Sequence, residues 1–166
     1  MTSAQAAKLI RKLTEEKELL LSEEKESREF IAAIQEDVET VRPAYNFSSM
    51  QEKIAALDQK IRAVKHALNI FNTTQTVLGF NMTIDEMLIY LPQLRTQKEK
   101  LEKMAKRLEK KRITSDYGRS GNLIEYSYAN YNIEEVRKKL EEVSDELSRA
   151  QTALDVVNNQ VEVPTL

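Results

Sequence analysis

Arg112 to Asn132 reads RITSDYGRSGNLIEYSYANYN, and this stretch decides the fold. It holds four of the six tyrosines, Tyr117, Tyr126, Tyr128 and Tyr131, and two of the three glycines, Gly118 and Gly121. Ile124, Tyr126 and Tyr128 alternate with Glu125 and Ser127, the period-2 pattern of a strand with one buried apolar face. Gly118 to Asn122 supplies turn residues. The spacing predicts a β-hairpin over 113–131, set between two long helices.

Downstream, Asn132 with Glu135 gives a helix-start signal, followed by the seam Ile133, Val136, Leu140, Val143, Leu147, Ala150, Leu154, Val157 and Val161. Upstream, Thr83 and Glu86 have capping-box spacing, and the seam Ile84, Met87, Leu91, Leu94, Lys98, Leu101, Ala105 and Leu108 follows. Pro92 falls in that helix, and a kink is expected there. A hairpin between the two helices makes them antiparallel.

The first half repeats the plan without the hairpin. Ser49 and Glu52 are read as the cap of a helix with the apolar seam Met50, Ile54, Leu57, Ile61, Val64, Leu68 and Phe71. Before it, Ala6, Ile10, Leu13, Lys17, Leu20, Glu24, Ser27, Ile31, Ile34, Val38 and Val41 keep one three-four register, predicting a helix from Ser3 to Val41. At ~1.5 Å per residue that is a rod of about 58 Å. Lys17, Glu24 and Ser27 are polar seam positions, which either fix register or mark a stretch with little to pack on. Pro43 ends the helix. The expected fold is all-α with a small β-hairpin: long antiparallel helical hairpins, 3–72 and 84–160, in a single elongated coiled-coil domain over 1–166.

Composition agrees. The 166 residues are 31% charged and 6% aromatic, with no tryptophan and three prolines, the profile of long packed helices. Net charge is −2, but ten acids and three bases lie between Glu15 and Glu39, against eight bases and three acids between Lys98 and Arg112. No cysteine is present, so no disulfide or thiolate site forms. The N-terminus lacks a signal-peptide core and the apolar run Met87 to Leu91 is too short to span a bilayer, so a soluble cytoplasmic protein is expected.

Three segments resemble the septicolysin-like proteins, a bacterial helical family of poorly established function. They are LNIFNTTQTVLGFNMTIDEML around Asn72, Thr73, Thr76, Gly79 and Thr83; DYGRSGNLIEY with Tyr117, Arg119 and Ser120; and the ending VVNNQVEV with Asn158 and Asn159. The resemblance covers most of the chain in order and implies a helical fold; the family's name suggests cytolysis. Extra residues at Gly118 to Asn122 and the link PAYNFSSM depart from the family's pattern.

No residue pattern points to catalysis. His66 is the lone histidine and has no partner set for a metal, adjacent acids such as Glu141 and Glu142 do not share a helix face, and GRSG at Gly118 to Gly121 is one residue short of a nucleophile elbow. Neither enzyme activity nor a cofactor is expected. The candidate interface is Tyr117, Arg119, Tyr126, Tyr128 and Tyr131, and the candidate basic surface is Lys103, Lys106, Arg107, Lys110 and Lys111. Glu99, Glu102 and Glu109 interleave with the bases, which favours a solvated face over a nucleic-acid footprint. Apolar flanks at Ile10, Phe30, Ile70 and Ile89 favour a homo-oligomeric scaffold or a protein partner; membrane activity and nucleic-acid binding through 98–112 are the alternatives.

Overall fold

The computed structural model describes residues 1–113 and 124–164. In chain order they form α1 (Ser3–Ser27), α2 (Val38–Val41), α3 (Phe47–Thr74), α4 (Ile84–Ala105), β1 (Lys110–Arg112), β2 (Tyr126–Tyr128) and α5 (Ile133–Gln160). The helix-dominated class with a small hairpin is as the sequence predicts. The chain divides into two compact units, Met1–Gln75 with Val156–Leu166, and Thr76–Asp155.

In the first unit α1 packs on α3. Ala6 and Leu13 on one helix and Leu57, Val64 and Phe71 on the other are buried at seven-residue spacing, the apolar seam of a paired helix. Two polar contacts show the direction. Lys17 Nζ lies 2.7 Å from Asp58 Oδ1, and seven residues on, Glu24 accepts from Gln51 at 2.7 Å, seven residues back. The helices are therefore antiparallel, and Lys17 and Glu24 serve as register marks. Lys17 and Asp58 are part-exposed, so the pair adds only about 0–1 kcal/mol; its effect is on alignment.

The same register explains where the helix of the first seam stops. The predicted run to Val41 ends instead at Ser27, a rod of about 37 Å at ~1.5 Å per residue. Four residues beyond Glu24 the register sets Arg28 opposite Phe47, where α3 begins. Past that point α1 has no neighbour, so its apolar positions gain nothing from helicity: Ile31 is 96% and Ile34 106% exposed. The start of α3 also differs. Asn46, not Ser49, is the cap, its side-chain oxygen accepting the Ser49 N–H at 2.9 Å. Arg42 takes an extended conformation ahead of Pro43, as the proline requires. The chain's beginning is tied to its far end: Ser3 Oγ donates to Asn158 Oδ1 at 2.8 Å and the Val163 N–H to the Met1 carbonyl at 2.8 Å.

The second unit opens with a turn. Val77 is buried, the Phe80 N–H bonds to its carbonyl, and Gly79 has φ +81°, the left-handed conformation that glycine adopts without strain. Thr76 pairs with Thr83, which caps α4 with Glu86 in the predicted box. Pro92 sits inside α4 on its exposed side. The helix ends at Ala105, short of Leu108, which is exposed. Asn132 caps α5 as expected, accepting from the Glu134 N–H at 2.8 Å. Tyr131 reaches the Met104 carbonyl near one end of α4, while Tyr90 reaches Glu146 toward the other, so α4 and α5 run antiparallel. Ile84, Met87, Leu91, Leu94 and Leu101 on α4 and Ile133, Val136, Val143 and Ala150 on α5 form this unit's core.

Met87 is fully buried, and Met87→Ala is expected to lower the free energy of urea unfolding by about 2–5 kcal/mol. The Thr83 amide and hydroxyl hold the Glu86 carboxyl below its usual range, so its contribution is present above the unfolded-state value and is lost as pH falls through the folded one. Glu86→Gln should therefore be less stable than the parent at neutral pH, with the gap closing in acid; a pH-independent gap would contradict the cap's role.

Candidate functional site

The end of α4 and the hairpin are fastened together by hydrogen bonds of side chain and backbone. The Lys106 N–H caps α4 on the Glu102 carbonyl at 3.3 Å, and the Tyr131 hydroxyl donates to the Met104 carbonyl at 3.0 Å, satisfying oxygens that a helix end leaves free. From there the ladder runs from Ala129 N–H on the Glu109 carbonyl to Ile113 N–H on the Glu125 carbonyl, each 2.9 Å. The strands thus begin earlier than 113, with Lys110 opposite Tyr128, Lys111 opposite Ser127 and Arg112 opposite Tyr126. Residues 98–112 are consequently not one helix: the bases pass from helix, through a short bend, into strand.

Strand alternation sorts the side chains onto two faces. Lys110 and Arg112 share one with Tyr126 and Tyr128, although Arg112, the last residue of β1, also borders the groove on the other side. There the Lys110 ammonium lies 4.1 Å from the Tyr126 ring centre and 5.6 Å from that of Tyr128, with the rings 6.4 Å apart. At such an exposed place a cation–π contact contributes about 0.5–1 kcal/mol, enough to order the face. The alternation expected of the tyrosines is present, but their face is exposed, Tyr128 at 61%. On the other side Arg107 donates to Ser127 Oγ, drawing the hairpin toward the end of α4.

Between the two lies a groove of about 740 Å³, lined by Lys103, Lys106, Arg107, Lys111 and Arg112 together with Ser127. Leu108 and Ile113 complete its wall, and both are largely exposed. No carboxylate is among the described residues lining it. None of its five cations joins an ion pair among the described residues, whereas Lys17, Arg42, Arg137, Lys139 and Arg149 all do. Cations at a helix C-terminus are favoured by the helix dipole, which accounts for Lys103 and Lys106 but not for Lys111 and Arg112 on the strand. Five like charges around one concavity repel one another, and an anion placed there relieves that repulsion. Lys and Arg offer donors and no acceptor, so the groove is suited to carboxylates or phosphates.

Four of the five residues of the candidate basic surface, Lys103, Lys106, Arg107 and Lys111, are brought together here, and Lys110 faces the tyrosines instead. Tyr126 and Tyr128 are exposed on the hairpin, Tyr131 is half-buried with its hydroxyl engaged, and Tyr117 and Arg119 lie outside the described residues. Sequence reading placed Arg112 in the basic stretch 98–112 but not in the candidate surface, and missed Leu108, Ile113 and Ser127 as part of the site. The register of β1 on β2 was the signal for them, and it depended on a helix end that no glycine or proline marks.

Two further depressions are shallower chemically. One, beside Tyr45, holds a phenol whose pKa is raised by burial and by its hydrogen bond to Glu24. The other contains Asp58, Arg62, Lys65 and the exposed His66. Among the described residues, no group of three or more His, Asp or Glu side chains is placed to hold a metal ion, and no helix is long and apolar enough to cross a membrane.

No protein-family model matches the chain, and no curated protein does. Among solved structures it is similar to a functionally unknown conserved protein from Corynebacterium diphtheriae, at 19% identity and a TM-score of 0.56 over 98% of both chains. At that identity the likeness is one of fold.

Proposed function

We propose that this protein is a non-catalytic helical interaction module, whose receptor surface is the groove between the end of α4 and the hairpin and whose partner is an acidic polypeptide. The observation that carries the reading is the lining: five unpaired cations, no carboxylate, and two exposed aliphatic side chains among the described residues. Such a lining matches a chain that alternates acids with apolar residues. A bilayer is flat, and a concave groove meets it poorly. Single-stranded nucleic acid would call for aromatic platforms, and the exposed tyrosines sit beside Lys110 instead of among the groove-lining residues.

Self-association is a second reading, favoured by apolar side chains left exposed at Phe30, Ile31, Ile34, Ile70 and Ile89, although Ile10 is half-buried.

Fluorescence anisotropy with a labelled glutamate- and leucine-containing peptide tests the first reading. Binding should weaken with added salt, and the exposed-site double change Lys106→Glu/Lys111→Glu should lower affinity by roughly tenfold or more. Equal affinity in the double variant would sink it. A labelled oligonucleotide that binds more tightly than the peptide would replace the partner class with nucleic acid.

A further inference from the structure

Residues 29–39, EFIAAIQEDVE, carry four acids and no base. From 29 to 37 they are not helical, yet they are locally shaped. The Ala33 N–H donates to the Glu36 carboxylate at 2.9 Å and the Glu36 N–H returns to the Ala33 carbonyl at 3.0 Å, closing a turn. Asp37 caps the short helix α2, and Phe30 lies under the Arg42 guanidinium at 5.3 Å. The turn so built presents Ile31 and Ile34 to water almost without cover. Burying apolar side chains is favourable, so two isoleucines held outward here form an apolar surface that nothing among the described residues covers.

This surface and the groove complement each other in two independent respects. Flanking bases already answer two of the segment's acids, Arg42 pairing with Glu39 at 2.8 Å and Arg28 with Glu29 at 3.8 Å, which leaves Glu36 and Asp37 to face a groove whose described lining has bases and no acids; each surface also brings two exposed aliphatic side chains, Ile31 and Ile34 against Leu108 and Ile113. We infer that the groove at the foot of the hairpin receives residues 29–39 of a second copy of this chain. The inference rests on the reading of the groove as a receptor for acidic polypeptide and names the polypeptide. Because the two surfaces differ, reciprocal exchange closes a two-fold dimer and one-way exchange extends a chain of copies. A contact of so few residues lies at the small end of protein interfaces, so assembly is concentration-dependent and weakens with salt.

Sedimentation velocity of the full chain across the micromolar range tests this. The wild type should shift from monomer to dimer or larger species with rising concentration. Ile31→Ser/Ile34→Ser and, separately, Lys106→Glu/Lys111→Glu should each abolish the shift, with circular dichroism showing the helices intact. Mixing Lys106→Glu/Lys111→Glu with Glu29→Lys/Glu36→Lys should restore association, because the unaltered groove of one meets the unaltered segment of the other and the two altered surfaces carry opposite charges. Association that survives both sets of substitutions would assign it to another surface and overturn the inference. A wild type that stays monomeric while its groove binds the labelled acidic peptide would overturn the inference and leave the receptor reading standing; failure of both would remove both.

Discussion

A helix of this composition persists only while another helix lies alongside it. The charged faces of α1 and α3 contribute little to folding, and what stabilises them is the shared seam of Ala6, Leu13, Leu57, Val64 and Phe71. Lys17 with Asp58 and Glu24 with Gln51 set the alignment, and that alignment brings the end of α1 opposite the start of α3. Everything beyond follows from the lost neighbour: the chain leaves the helix at Arg28, folds into a turn and exposes two isoleucines that a longer helix would have placed on its seam.

The end of α4 gives a second consequence of the same kind. On one continuous helix the bases from Lys98 to Arg112 would be distributed around the axis among Glu99, Glu102 and Glu109. Ending the helix at Ala105 and turning into β1 folds Lys111 and Arg112 back toward Lys103, Lys106 and Arg107, and leaves the glutamates out of the groove wall. Charge that is dispersed by sequence becomes local by geometry. The Tyr131 bond to Met104 and the Arg107 bond to Ser127 hold that geometry, so Tyr131 contributes to the site without lining it.

Much of this was legible in the residues. The capping box at Thr83 and Glu86, the cap at Asn132, the seams of α3, α4 and α5 and the hairpin itself follow from local rules that involve a few neighbouring side chains. Helix lengths were not legible where a partner set them. Ile31, Ile34 and Leu108 keep perfect helical spacing, and nothing local tells them that no surface faces them. The groove was half legible for the same reason: the excess of bases is visible in composition, but the strand register that gathers them, and that adds Arg112 and Ser127, depends on where α4 stops.

The central claim is that the groove receives the acidic and apolar segment 29–39 of another copy of this chain. Its most direct test is a titration of ¹⁵N-labelled protein with the peptide EFIAAIQEDVE, followed by amide shifts. The account predicts salt-sensitive, saturable shifts concentrated at Lys103 to Ile113 and Ser127, with the core of the α1 and α3 pair unmoved. No shifts at millimolar peptide, or shifts centred away from the groove, would contradict it.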